Sequence, residues 1–278
     1  MSDSPQGWRG SRLSNSLGLA WKIGFAAAGA LLLAFIVVPI IALIVTLSWS
    51  EFVAGIQHRS VLPALKLSLT TTAISLGIVV TLGTPLAWML SRRQGRAIQI
   101  VETIVRLPAV LPPAVAGLAL LLAFGRMGLL GKHLPHSIVF TTTAVIMAEV
   151  FVSAPFYLQS AISAFRGIDD SLLVVGRSLG ASRARVFFRI ALPLAAPALI
   201  SGAAMAWARA LGEFGATLMF AGSKEGVTQT LTLAVYDTYQ TDLAAAQAIS
   251  VLLVVIAFTL LLVLTLKTGT DLRGRKRL

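Results

Sequence analysis

Apolar residues gather along this chain into six long stretches, 23–47, 67–90, 107–124, 137–165, 193–220 and 243–266, with polar segments between them. A helix rising about 1.5 Å per residue needs about 20 such residues to cross about 30 Å of hydrocarbon. The pattern therefore predicts an all-α membrane protein with six transmembrane helices. A polar segment, 1–22, precedes the first stretch and a basic tail, 267–278, follows the last. No repeat or low-complexity linker divides 23–266, which reads as one membrane domain. The first apolar run is longer than a signal-peptide core and lacks a small-residue cleavage site after it, so it reads as an uncleaved anchor.

One polar segment breaks the pattern. Residues 166–192 are too polar to cross, yet Leu172, Leu173, Val175, Leu179, Val186, Phe187, Phe188 and Ile190 keep a helical spacing. Asp169, Asp170 and Ser171 offer N-capping oxygens, and Gly180 offers a left-handed stop after Leu179. Ser182 can cap a second helix over 183–191, and Pro193 suits the first position of the span that follows. The prediction is a helix, a sharp bend and a second helix entering the membrane. Val186, Phe187 and Phe188 cannot all face the protein's own core. A partner's groove or the lipid surface could cover them, and the residues alone leave both open.

Composition agrees with the membrane reading: 56% of residues are apolar, 12% are charged, and the mean hydropathy is +0.85. Lys and Arg number 23 against 11 Asp and Glu, a net charge of +12 that in a soluble chain would suggest nucleic acid. The excess is one-sided. Six spans sort the intervening segments into two groups: seventeen basic residues fall before 23, at 92–106, at 166–189 and after 266, against five at Arg59, Lys66, Arg126, Lys132 and Lys224. The positive-inside rule then places both termini and the 166–192 loop in the cytoplasm, with no need for nucleic acid. The tail can also touch anionic lipid headgroups. With no cysteine, disulfides and cysteine-held metals are excluded. There is no Gly-x-x-x-x-Gly-Lys-Ser/Thr phosphate loop, so ATP hydrolysis is not expected of this chain. His133 and His136 have no third ligand near them in sequence, and no metal or cofactor is expected.

Three ionisable residues fall inside the spans: Glu149, Arg209 and Glu213. Each costs about 2.5–3.5 kcal/mol at mid-bilayer, so each is expected to face the bundle interior or water. Arg209 and Glu213, four apart, share a helical face and can pair. They read either as the mouth or gate of an anion path or as an ion pair that fixes packing. Pro108, Pro112 and Pro113 lack amide donors, so the third span is expected to be kinked or unwound where it begins, which suits either a path-lining helix or a bent structural one.

Gly180, nine intervening residues, then Ile190-Ala191-Leu192-Pro193 resembles the "EAA loop" of the permease subunits of ABC importers, as does Arg177-Ser178-Leu179-Gly180-Ala181-Ser182. The chain departs from that pattern at Val174-Val175-Gly176, where the family often has Glu-Ala-Ala. Ala208–Leu218, 107–113, 124–128 and 226–231 are similar to the molybdate branch of that family, and the resemblance runs from about residue 60 to 266. It implies a type I ABC importer permease fold in which 166–192 is the cytoplasmic coupling helix. Arg177, Gly180, Ala181, Arg183, Ile190, Leu192 and Pro193 would then meet the ATPase. It also implies a homodimer with two ATPase subunits and an extracytoplasmic oxyanion-binding protein, importing molybdate through a path on which Pro112, Pro113, Glu149, Arg209 and Glu213 are candidates. Tungstate, sulfate or thiosulfate are alternative cargoes. From a different class, an ion-coupled secondary carrier could use Glu149 and Glu213 as a proton relay.

Overall fold

The computed structural model describes residues 10–275 and the side chains of residues 21–263. The charges expected to act in 1–20 and in the tail 267–278 lie outside the described side chains. Among the described residues every regular element is helical. The chain divides into two compact units, 1–49 and 50–278. The first holds α1 (Gly10–Val45), in which Trp21–Val45 is long and apolar enough to span.

The second unit carries α2 (Trp49–Ile56) from its second residue on, then α3 (Val61–Ser91), α4 (Arg96–Val110), α5 (Pro113–Phe124), α6 (Thr142–Arg166), α7 (Asp170–Ser178), α8 (Arg183–Val186), α9 (Leu192–Leu211), α10 (Gly215–Ala221), α11 (Leu231–Tyr239) and α12 (Leu243–Arg275). A 3₁₀ turn, Gly131–His133, precedes α6, and a π turn, Phe187–Ala191, joins α8 to α9. Among the described residues five segments are long and apolar enough to cross a membrane, and the pair α4–α5, bent by 115°, makes a sixth if counted as one broken span.

α6 lies between α3 and α9, and this trio is the centre of the second unit. Val79, Ala87 and Leu90 of α3 meet Tyr157, Ala161 and Phe165 of α6 and Ala195 and Leu199 of α9. Small residues permit the close approach, as expected where van der Waals packing holds membrane helices together. A Cβ on Gly83 would lie 3.0 Å from the Tyr157 ring, and one on Gly202 only 2.6 Å from Ser160 Cβ. A second cluster joins α5 and α10 to the first half of α6 through Ala116, Leu120, Ala148, Ala216 and Phe220. A third packs α11 and α12 on the start of α3.

Two of the expected spans take a different form. The stretch 107–124 is broken at Leu111–Pro112, and its first half extends back to Arg96. Leu111 is extended (ψ 136°), as the residue before a proline prefers, and Pro112 and Pro113 together remove two donors. The stretch 193–220 stops at Leu211, with Gly212 as the cap, and restarts at Gly215; Phe214 (φ −130°) lies between the two helices, and the Glu213 carboxylate accepts the Ala216 N–H in the first turn of the second.

Candidate functional site

The elbow is built by local rules. Asp169 caps α7, accepting the Ser171 N–H at 2.8 Å, and this bond holds the exposed carboxyl below its ordinary pKa. Gly180 (φ +81°) ends the helix. Its N–H reaches the Arg177 carbonyl at 2.9 Å, while the Ala181 N–H reaches Gly176 at 3.2 Å, the paired bonds of a Schellman stop. Ser182 caps α8 through the Arg185 N–H. Val186 is buried, and the Phe187 ring packs edge-on against Trp88 at 5.2 Å. Phe188 stays 64% exposed, so the three apolar residues do divide between core and surface.

From α8 the chain runs on without a stop. The Leu192 N–H bonds the Phe187 carbonyl five residues back, and this wider turn accommodates Pro193, which has no N–H to give. Pro193 is therefore the second residue of α9 inside an unbroken rod, Arg183–Leu211, and not the first of a fresh helix. Ala181, Ile190 and Leu192 pack on the central core, whereas Arg177, Gly180 and Arg183 lie outside it. Gly176 is buried, and a Cβ there would approach Ile190 Cδ1 to 2.7 Å, so a larger residue at the third position of Val174-Val175-Gly176 would make the end of the Ile190 side chain shift. Val174 and Val175 are half exposed. At the same end of the bundle Arg92 bonds Asp170 and the Phe165 carbonyl, and Arg166 pairs with the buried Glu102.

Away from the elbow lies a polar core. The Glu149 carboxyl, 1% exposed, accepts Thr71 Oγ1 and Ser75 Oγ, each at 2.8 Å. Trp207 Nε1 donates to Thr72 Oγ1 at 2.9 Å, and the Leu231 N–H donates to Ser68 Oγ at 2.8 Å. Arg209 Nη1 lies 2.7 Å from Glu213 Oε2, while Glu213 Oε1 accepts the Ala216 N–H at 2.7 Å. The Arg209 contact is off the N–H direction, so Oε2 is paired by charge and not by a hydrogen bond. Thr232 Oγ1 donates to the Glu213 carbonyl. Glu213 is also within electrostatic reach of Glu149.

The two helix breaks meet here. A Cβ on Gly215 would lie 2.6 Å from Pro113 Cβ, and one on Gly117 would lie 2.9 Å from Ala216 Cα. The structure thus gathers Pro113, Glu213, Arg209 and Glu149 into one region, with Pro112 at the adjoining break. Sequence reasoning missed their hydroxyl partners. Ser68, Thr71, Thr72 and Ser75 recur at three- and four-residue intervals, a polar stripe that was readable within an apolar run. It also missed Glu102, the one acid in the basic segment 92–106.

Residues 80–267 match the family described as binding-protein-dependent transport system inner membrane component. The molybdenum transport system permease protein ModB of Mycobacterium tuberculosis is 45% identical over 244 residues, covering 86% of this chain and 92% of that protein. The molybdate/tungstate transport system permease protein WtpB of Pyrococcus abyssi is 36% identical over 242 residues, covering 86% and 92%. A chain in the crystal structure of a bacterial alginate ABC transporter, in complex with an alginate pentasaccharide-bound periplasmic protein, superposes with a TM-score of 0.70. The match covers 91% of this chain and 96% of that one at 18% identity, which shows a common fold. An integral membrane chain with a capped elbow feeding directly into a span, matched by this family over most of its length, belongs to the inner membrane components of binding-protein-dependent ABC transporters.

Proposed function

We propose that the protein is the permease subunit of an ATP-driven importer of molybdate. It would work as a homodimer with two cytoplasmic ATPase subunits and an extracytoplasmic oxyanion-binding protein, with both termini in the cytoplasm. The observation that carries the mechanism is the unbroken rod from Arg183 to Leu211. Force applied to the elbow passes to the Arg209–Glu213 pair along one continuous helical segment, which can bend only at its π turn, Phe187–Ala191, and at Pro193 and Pro197, so a movement of partner ATPase subunits tilts α9 at the break it ends in. Arg177, Gly180 and Arg183 present the elbow to that partner, Ala181, Ile190 and Leu192 tie it to the bundle, and Pro193 stands exposed where the elbow enters α9.

Pro112, Pro113, Glu149, Arg209 and Glu213 line or gate the path. Interrupted helices at membrane depth are tolerated where they are buried in protein or border a water-filled route. Arg209 supplies attraction for an oxyanion, and Glu213 offsets part of its charge, which favours weak binding and release. Selection of the anion rests mainly on the binding protein. Molybdate follows from the 45% identity to a molybdenum permease; the similarity to a molybdate/tungstate permease makes tungstate the nearest second cargo.

Reconstitution of the permease with its ATPase and binding protein in vesicles tests this. Molybdate is expected to stimulate ATP hydrolysis and uptake, with sulfate and thiosulfate inert. Stimulation by sulfate alone removes the cargo assignment, and uptake at full rate without an ATPase removes the mechanism and returns the ion-coupled carrier.

A further inference from the structure

Where the end of α3 meets the elbow, a cavity of about 300 Å³ has the buried residues Leu173 and Val186 and the Trp88 ring as its apolar part. Its polar part is Arg92, Arg177, Arg183 and Asp170. Three guanidinium groups thus share the space with one carboxylate. Asp170 is spent on Arg92, whose Nη1 it meets at 2.6 Å. Arg92 is fixed further by the Phe165 carbonyl, by Ser91 Oγ at 3.4 Å and by the Trp88 face, 4.9 Å from its central carbon. The other two arginines have no acid partner among the described residues. Arg177 gives its Nε to the Leu173 carbonyl at 3.3 Å, and Arg183 has no side-chain partner among the described residues.

Two uncompensated positive charges therefore border a small cavity whose third guanidinium is held rigidly in place. Guanidinium groups match oxyanions better than any other ligand class, because their planar N–H pairs meet two oxygens at once. One carboxylate would leave a charge unmet, and an apolar guest would strand both. We propose that this cavity is a binding site for a doubly charged tetrahedral oxyanion group, held between Arg177 and Arg183 of the elbow and Arg92 of α3. The group is supplied either as a free dianion or as the phosphomonoester headgroup of phosphatidic acid. Occupancy ties the elbow to the end of α3 and stiffens the joint between them.

The full-length protein in nanodiscs of neutral phosphatidylcholine is dialysed against radiolabelled inorganic phosphate and, separately, molybdate. Saturable binding is expected in the parent. It should weaken about tenfold in Arg183→Gln and be lost in the Arg177→Gln/Arg183→Gln double variant, while Arg96→Gln, on α4 and outside the cavity, binds as the parent does. Arg183→Lys should recover only part of the affinity, since it restores the charge without the planar fork. Helical content by circular dichroism verifies that each variant folds.

Nanodiscs that also contain phosphatidic acid separate the sources. Displacement of phosphate by the lipid assigns the site to a headgroup, and retention assigns it to a free anion. Absence of saturable binding by phosphate, molybdate and phosphatidic acid alike overturns the proposal, and so does binding that the double variant leaves intact.

Discussion

Gly215 lies so close to Pro113 that a single added methyl group would sit 2.6 Å from the proline Cβ and 3.3 Å from its carbonyl carbon. The break in the third span and the break in the fifth are therefore one joint. The neighbouring atoms belong to a ring and to backbone, so nothing nearby can rotate away. Gly215→Ala is expected to destabilise the protein by about 1–3 kcal/mol, the usual cost of overpacking a tight site. Gly77→Ala, in α3 with open space around it, is the control and should be neutral or slightly stabilising. Thermal unfolding in detergent compares the two, and equal melting temperatures would show that the breaks are free to part.

The Arg209–Glu213 pair makes a sharper test of the path. Arg209→Met alone strands a carboxylate that is 1% exposed on its side chain, and loss of one partner of a buried pair costs about 3–5 kcal/mol. Arg209→Met with Glu213→Gln removes both charges and keeps an oxygen for the Ala216 N–H, so the double variant should recover most of that stability. Uptake should not recover with it, because the guanidinium that attracts the anion is gone. A double variant with parental uptake would reduce the pair to a packing device.

The elbow was legible residue by residue because its signals are local. Asp169, Gly180 and Ser182 each act on backbone groups within three or four positions, and each does in the structure what its chemistry suggests. The breaks were less legible. Glu213 caps the start of α10 by taking the Ala216 N–H, but its own carbonyl is satisfied by Thr232 and the joint is closed by Pro113, both remote in sequence. The prolines announced an interruption in the third span. They did not announce a 115° bend, which depends on how α5 packs against α10. α4 escaped notice because its single apolar face is interrupted by Arg96, Glu102 and Arg106, and the Arg166 partner of Glu102 lies 64 residues away.

Glu149 and its hydroxyl partners should respond asymmetrically to mutation. Thr71 Oγ1 has a second acceptor in the Ser68 carbonyl at 3.3 Å, and Ser75 Oγ has one in the Ile146 carbonyl at 3.2 Å. Glu149→Leu therefore leaves neither hydroxyl stranded and should cost under about 1 kcal/mol. Thr71→Val with Ser75→Ala instead leaves a buried carboxyl without donors, at a cost of about 1–3 kcal/mol or more. Unfolding midpoints of the two variants give the order, and the reverse order would mean that the carboxyl holds the helices together through contacts other than these.

Asp169 gives the elbow a weak acid sensitivity of known sign. Its carboxyl is held below the ordinary aspartate pKa, first by the Ser171 N–H, so the cap stabilises α7 fully above the unfolded value. That contribution fades as pH falls through the lower folded value. Hydrogen-exchange protection in the first turn of α7 is expected to be flat from neutral pH down to the ordinary aspartate range and to weaken beneath it. Asp169→Asn should keep the cap and lose this dependence, and Asp169→Ala should fray the turn at every pH. A profile for Asp169→Asn that still falls with acid would place the sensitivity elsewhere.

Gly180 is where the mechanism can be separated from mere assembly. Its φ of +81° is open to glycine and costs most other residues about 1–2 kcal/mol, yet a Cβ there meets nothing within 4 Å. Gly180→Ala therefore strains the turn without a clash, and the strain is relieved by letting α7 run on past Leu179. The angle between α7 and α8 then opens, while the α8–α9 rod and the bundle stay as they were. The variant should insert and melt like the parent to within a few degrees, and lose most of the ATP hydrolysis stimulated by loaded binding protein. Gly180→Asn, which tolerates the left-handed region better, should retain more of it. Normal stimulation in Gly180→Ala would mean that the turn's angle is not what carries force from the ATPase to α9.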